Sequence, residues 1–313
     1  MLAAAFALLG CEAAPPFSAQ SLPEVAPTVS PRAEGPERSI ESFQLEQYYL
    51  RLQRDLLVQG LLRTDGGTFD AAYTAEDLAE NFIRIALYDE YRASGDFMLP
   101  EETESNLRRW ERPVRLRVLF GDTVPEAQRQ EDRVRIENYT NRLARVTGLP
   151  MSITKGANAN YHVLVVNEDD RLGLRPALQK MVPGISEAGL RAIINMPRTQ
   201  LCIVVSFASD RTDGPFTDAI AVIRGEHPDL FRLSCIHEEI AQGLGLANDS
   251  DAARPSIFND DEEFALLTVH DEQLLRILYD KRLKTGMDIT QALPIVTQIA
   301  NELFAGRRPQ GTN

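Results

Sequence analysis

The chain has 313 residues, 43% of them apolar, which is enough for one large hydrophobic core or two modest ones. Asp and Glu outnumber Lys and Arg by 46 to 33, which gives a net charge of −13. A chain this acidic is poorly suited to bind nucleic acid or an anionic membrane surface, and the even spread of its charge is typical of a soluble acidic surface.

The N-terminal sequence MLAAAFALLGCEAAPP contains an apolar run of about nine residues, far short of the ~20 that span a bilayer. Such a run is typical of a secretion signal. Its end, LLGC, resembles a bacterial lipobox, in which cleavage leaves a lipidated cysteine as the first residue. We therefore expect residues 1–11 to be a signal and Cys11 to be lipidated. Because no Lys or Arg precedes the run, plain secretion and a misplaced start remain open.

Residues 12–40 are dominated by Pro, Ala, Ser and Glu and show no apolar period, which predicts a disordered tether. An anchor followed by a tether predicts a protein of the cell envelope, held at the membrane only through its N-terminal lipid, or else a secreted protein.

Residues 41–110 are predicted to form a small helical segment, in which TAEDLAENF opens with a capping pattern at Thr74. From residue 111 the pattern changes to strands alternating with helices. Strands are predicted at RPVRLRVLFG, NYHVLVVNEDD, QLCIVVSFAS and FTDAIAVIRG, and a long helix from Pro125 to Thr147. The order predicts an α/β (α+β) domain with a mixed sheet over 111–305, and a flexible tail over 306–313.

Two cysteines remain besides Cys11. Cys202 lies in a predicted strand, and Cys235 lies just before the motif described next. Export to an oxidising compartment would allow the two to form a disulfide, and two buried free thiols are the alternative.

The segment SCIHEEIAQGLGLANDSD, residues 234–251, is similar to a zinc-peptidase helix. Such a helix needs ligands at i and i+4, since this spacing puts both side chains on one face, with a Glu after the first ligand as general base. Starting at His237 puts Ala241 at i+4, which cannot bind a metal. Starting one residue later puts the ligand positions at Glu238, Gln242 and Asn248, with Glu239 as the base and Gly245 at the turn.

In this register residues 237–283 resemble the C-terminal half of a metzincin, closest in layout to matrixin-type peptidases. The resemblance implies a zincin-like mixed sheet with an active-site-type helix, and it places Phe258 where those peptidases have the methionine of the Met-turn. The signature HEExxQxLGLxND also resembles a bacterial domain-of-unknown-function family, number 2927, over roughly residues 45–290. That second resemblance implies no activity.

Glu238, Gln242 and Asn248 offer oxygen ligands, which suit Ca²⁺ or Mg²⁺ better than zinc. His237 would join them only if the helix begins there. A divalent metal is therefore conceivable as cofactor, and zinc is doubtful. The alternative interpretation is an ordinary helix start, whose acidic residues are stabilised by the helix dipole, with Asn248 ending the helix.

Two functions follow from these patterns. One is a metallopeptidase-like envelope lipoprotein that hydrolyses peptides with Glu239 as base. The other is a catalytically inactive zincin-like protein that binds a peptide or protein ligand in the same cleft. A chance match on an unrelated fold is the third possibility. The chain contains no nucleotide-binding glycine motif.

Overall fold

The computed structural model describes residues 37–67, 70–209 and 214–306. Cys11, the signal, most of the tether and residues 307–313 of the tail lie outside the described residues, so the predictions made for them stay predictions. The described part has nine helices and seven strands. The helices are α1 Ile40–Val58, α2 Ala75–Ala86, α3 Glu126–Thr147, α4 Glu168–Leu172, α5 Arg175–Met181, α6 Glu187–Ile194, α7 Asp229–Gln242, α8 Val269–Leu278 and α9 Ile289–Ala305. The strands are β1 Tyr88–Ser94, β2 Phe97–Glu104, β3 Val114–Phe120, β4 Met151–Ile153, β5 Tyr161–Val166, β6 Cys202–Ala208 and β7 Phe216–Arg224.

A five-stranded mixed sheet in the order β4-β3-β5-β7-β6 forms the centre of the fold. β3, β4, β5 and β7 run parallel, whereas β6 is antiparallel to β7 and lies at the edge. β5 is buried along its whole length, as expected of a strand covered on both faces. The predicted α/β class with a mixed sheet is confirmed.

Helices cover both faces of this sheet. α3, α7 and α8 enclose the larger core on one face, together with Tyr161, Val163 and Ala221 of the sheet. α5 and α6 enclose a smaller core on the other face with Leu164 and Val222. Because neighbouring residues of one strand point to opposite faces, β5 contributes to both cores.

The predicted helical segment, residues 41–110, contains α1 and α2 but also the β1–β2 hairpin, which the sequence pattern did not predict. The hairpin turns at Gly95, whose φ of 58° favours glycine. α2 begins with the predicted capping box between Thr74 and Asp77. It packs against α8 and α9, and its apolar face joins the same core as the sheet, so the core does not break at residue 110.

No helix among the described residues is both long enough and apolar enough to span a membrane.

Candidate functional site: an acidic cleft beside helix α7

A cleft of about 730 Å³ lies between β6, the β1–β2 hairpin and the C-terminal half of α7. Among the described residues no strand pairs with the outer edge of β6, and the cleft runs along five residues of that strand, from Cys202 to Ser206. The outer backbone groups of an edge strand are available to pair with an added strand.

Acidic side chains dominate the polar lining of the cleft. Arg108 and Arg191 also line it, but both pair with other carboxylates: Arg108 with Asp89, and Arg191 with Glu187 at 3.2 Å. Among the described residues no Lys or Arg forms an ion pair with the six remaining acids, which are Glu90, Glu238, Glu239, Asp249, Asp260 and Glu262. The cleft therefore gathers acidic side chains that have no basic partner within the described part of the chain.

Four aromatic residues hold the C-terminal half of α7 and the turn after it in place by donating hydrogen bonds to backbone carbonyl oxygens. Tyr139 Oη donates to His237 O at 2.7 Å and Tyr161 Oη to Glu239 O at 2.7 Å. Trp110 Nε1 donates to Gly243 O at 2.8 Å, and Tyr279 Oη to Leu244 O at 2.9 Å. The Glu239 carbonyl also accepts from Gly243 N at 3.0 Å, so Tyr161 adds a second hydrogen bond there, while Trp110 and Tyr279 bind carbonyls just past the last helical residue. Together the four donors fix the position of the helix end. Sequence reasoning missed all four aromatics.

Glu239, the predicted base, lines the cleft and is only 3% exposed. Its Oε2 is buried and has no hydrogen-bond partner among the described residues. Glu238 beside it is half-buried, and carboxylate oxygens of the two lie within 4.8 Å of each other. A buried carboxyl oxygen without a partner is costly, so this arrangement calls for a functional explanation.

His237, the first residue of the motif, takes no part in the lining of the cleft. Its ring stacks on Tyr139 with centroids 4.0 Å apart, and its Nδ1 accepts a hydrogen bond from Leu267 N at 3.1 Å. Burial lowers the pKa of His237 to about 3, so the ring is neutral and serves as a packed core residue.

The two other predicted ligand positions separate. Gln242 lines the cleft, and its Nε2 donates to Asp249 Oδ1 at 3.3 Å. Asn248 turns away: its Nδ2 donates to Arg84 O at 3.0 Å and to Glu102 Oε2 at 3.1 Å. The structure thus brings Glu238, Glu239 and Gln242 together with Asp249, the residue after the predicted position.

Gly245 makes this turn possible. Its φ is +125°, a conformation that favours glycine, and a Cβ here would collide with the carbonyl oxygen of Arg108. Phe258, at the predicted Met-turn position, is fully buried in the main core, and its N–H donates to Ser256 Oγ at 3.0 Å. Both residues are therefore structural supports of the site.

The carboxyl groups of the cleft hold their protons more tightly than free ones. Burial, followed by the neighbouring charges of Glu90 and Asp249, raises the pKa of Glu239 well above its ordinary value. Burial and the charge of Glu239 do the same to the pKa of Glu238. Burial raises the pKa of Glu262 to about 7. Low dielectric and mutual repulsion both favour the neutral acid.

The predicted disulfide between Cys202 and Cys235 is present. It joins β6 to α7 one turn before the carboxyl pair, and Cys202 Sγ lies within 4.8 Å of carboxylate oxygens of Glu238 and Glu239. A sulfur in a disulfide is not a thiolate, and thiolate is the form of cysteine that binds a metal.

The zinc that a metzincin-like layout implies does not fit these residues. Zinc in proteins is bound mainly by imidazole and thiolate, whereas the side chains gathered here are carboxylates and one amide. The nearest imidazole, that of His237, is stacked on Tyr139, and the nearest sulfur is bonded to Cys235. We therefore derive no chemical step through zinc.

The chain belongs to the family described as "Protein of unknown function (DUF2927)", whose sequence pattern matches residues 75–298. The match takes in α2, the hairpin, the whole sheet and most of α9. No curated protein and no solved structure matches the chain.

Proposed function

We propose that this protein is a zincin-like peptide hydrolase of the cell envelope, acting on an extended peptide segment in the acidic cleft. The observation that carries the proposal is that Glu239 lines the cleft from a buried position, and that its Oε2 has no hydrogen-bond partner in the ranges that the structure describes. The free edge of β6 supports the peptide part of the proposal, because an extended peptide can add to such an edge as a further strand.

In this proposal Glu239 is the general base that takes a proton from the attacking water. Burial raises the pKa of Glu239, which makes its carboxylate a stronger base once it is ionised. The Tyr161 hydroxyl donates a hydrogen bond to the Glu239 carbonyl oxygen and so fixes the backbone that carries the Glu239 side chain.

The experiment is incubation of the full-length protein with an unfolded, reduced protein substrate, followed by mass spectrometry of new peptide termini. We expect cleavage by the wild type and a loss of roughly 100-fold or more in Glu239→Gln, the usual range for removing a general base. The matched control is Glu137→Gln. Glu137 is an exposed residue of α3, so this variant should cleave the substrate as the wild type does. Equal cleavage by Glu239→Gln and wild type would overturn the proposal.

A second candidate is an inactive protein that binds the same kind of segment. It is favoured by the positions of His237 and Asn248, both engaged away from the cleft, so that the ligand set of a zinc peptidase is not assembled. Wild-type protein that retains peptides without producing new termini would support this candidate over the first.

We further propose that the protein is attached to the membrane through a lipid on Cys11. The LLGC sequence and the Pro-rich stretch after it support this. Cys11→Ser should move the protein from the membrane fraction to the soluble fraction, and unchanged membrane association would contradict the anchor.

A further inference from the structure

Glu238 and Glu239 form a pair of carboxyl groups in the cleft. Neighbouring residues of a helix point about 100° apart, yet both side chains line the cleft, and carboxyl oxygens of the two lie within 4.8 Å of each other. Two hydrogen bonds of about 2.8 Å each, meeting at one water, span such a separation. The third atom of this close group, Cys202 Sγ, belongs to the disulfide and carries no proton. A water bound at this point can therefore contact both carboxyl groups at once.

The two carboxyl groups differ in how deeply they lie. Glu239 is 3% exposed, and its Oε2 has no hydrogen-bond partner among the residues described, whereas Glu238 is half-buried. The deeper group is suited to contact a small molecule such as water. The outer group is the one that a peptide bound in the cleft reaches more directly.

The surroundings keep a proton on Glu238 when Glu239 has lost its own. Burial and then the charge of Glu239 raise the pKa of Glu238 well above its ordinary value. The pKa of Glu239 is raised by burial and then by the charges of Glu90 and Asp249. Two like charges at this distance repel each other strongly in a site of low dielectric. Over a range of pH the pair therefore holds one proton, on Glu238.

No positive charge opposes this arrangement. The other ionisable groups around the pair are acids and tyrosines, which come from β1, α3, β5 and the chain after α7: Glu90, Tyr91, Tyr139, Tyr161, Asp249, Asp260 and Glu262. Arg108 and Arg191 line the same cleft, but they pair with Asp89 and Glu187. The groups that face Glu238 within the described ranges therefore favour its neutral form.

We infer that Glu238 is a second catalytic residue of this cleft, the general acid that gives its proton to the leaving amine while Glu239 acts as the base. The inference rests on the proposed hydrolase function and supplies its proton donor. A pair of carboxyl groups whose surroundings favour opposite protonation states is suited to these two roles.

The reaction balances with one water and no other reactant. Glu239 takes a proton from the water, and the water oxygen forms a bond to the carbonyl carbon of the peptide. Glu238 then gives its proton to the amide nitrogen, the C–N bond breaks, and a carboxylic acid and an amine leave. The proton on Glu239 passes to Glu238 through the next water, which restores the pair.

The test is the pH dependence of kcat/KM for the full-length protein, with a synthetic peptide that spans a cleavage site found by mass spectrometry. We expect a bell-shaped profile, in which the acid limb reports Glu239 losing its proton and the alkaline limb reports Glu238 losing its own. Glu238→Gln should lower kcat/KM by about 100-fold or more and remove the alkaline limb, while the acid limb stays.

Two further variants separate this role from a structural one. Glu238→Asp keeps an acid with a lower ordinary pKa, so it should keep the bell shape and move the alkaline limb to lower pH. Glu262 is the other group that could cause an alkaline limb, because burial raises its pKa to about 7, and Glu262→Gln should keep that limb. The exposed control Glu137→Gln should match the wild type in rate and in both limbs.

The outcomes distinguish the acid from the hydrolase. An alkaline limb that survives in Glu238→Gln, that stays in place in Glu238→Asp, or that Glu262→Gln removes would overturn the role of Glu238 and leave Glu239 as the base. Wild-type cleavage that a chelator abolishes would also overturn it, because the pair would then hold a metal and not a proton. Absence of cleavage by the wild type would remove the hydrolase and the acid together.

Discussion

The two halves of helix α7 differ in how their buried ionisable side chains are hydrogen-bonded. In the N-terminal half, Arg232 is 2% exposed and every part of its guanidinium has a partner: Asp132 at 2.8 Å, the His227 carbonyl at 2.7 Å and Asp229 at 2.7 Å. In the C-terminal half, Glu239 is almost as deeply buried, and its Oε2 has no hydrogen-bond partner within the described part of the chain. The ionisable side chain of α7 that lies in the core is fully paired, whereas the one that borders the cleft is not.

This difference indicates which end carries the function. A satisfied buried ion pair is part of the fold, and its loss exposes a charge to an apolar interior. An unsatisfied carboxyl weakens the fold, and it persists most readily where something outside the chain completes it. The comparison therefore predicts opposite outcomes for substitutions at the two ends.

The largest expected effect is at the paired end. Asp132→Ala leaves Arg232 buried without its main partner and should lower the free energy of unfolding by about 3–5 kcal/mol. Urea unfolding followed by circular dichroism measures it. Asp132 lies on α3. The control Glu137→Ala, on the exposed side of α3, should change the free energy of unfolding by less than about 0.5 kcal/mol. A loss at Asp132 no larger than that of this control would remove the distinction between the two ends.

An intermediate effect is expected at the turn that brings Asp249 into the cleft. Gly245→Ala forces a side chain into a φ of +125° and against the Arg108 carbonyl, so it should cost about 1–3 kcal/mol. Gly148→Ala is the matched control, because Gly148 also has a positive φ, of 70°, but has open space around it. Equal losses of stability in the two variants would mean that contact with the Arg108 carbonyl does not determine which residue the turn requires at position 245.

A pH dependence is expected at the rim of the cleft. Glu262 has an ordinary pKa of 4.5 when unfolded and about 7 when folded, because of burial and then the charges of Asp260 and Asp261. Between these values the folded state holds the proton and the unfolded state has lost it, so stability falls as pH rises from 4.5 to about 7. In chelator, Glu262→Gln should flatten this part of the stability profile. An unchanged slope would mean that other groups cause the fall.

The sequence predicted much of the scaffold, because its elements follow hydrophobic patterns. The buried strand around Val163 and the cap at Thr74 could be read directly. The continuous apolar run QLCIVVSFAS is typical of a central strand, yet β6 lies at the edge of the sheet with Val204 half-buried, so its existence was predictable and its position was not. The β1–β2 hairpin could not, since its half-exposed strands lack an apolar period and resemble a polar helix. The Ser-Gly-Asp sequence around Gly95 was the available signal.

In the candidate site, the sequence could predict only those residues whose direction is fixed by helical spacing. Glu238, Glu239 and Gln242 follow from the i, i+1, i+4 pattern. Beyond Gly245 the chain leaves the helix, so spacing could not tell whether Asn248 or Asp249 faces the cleft. The position of His237 depends on stacking with Tyr139, about 100 residues away in sequence, a contact that no local pattern encodes.

The disulfide between β6 and α7 also limits how the cleft can change shape. It ties the strand that forms one wall to the helix that forms the floor, close to the carboxyl pair. The opposite wall, the β1–β2 hairpin, has no disulfide among the described residues and packs through non-covalent contacts, such as those between β2 and α6. The cleft thus has one wall of fixed position and one adjustable wall, and a bulky ligand would widen it on the hairpin side.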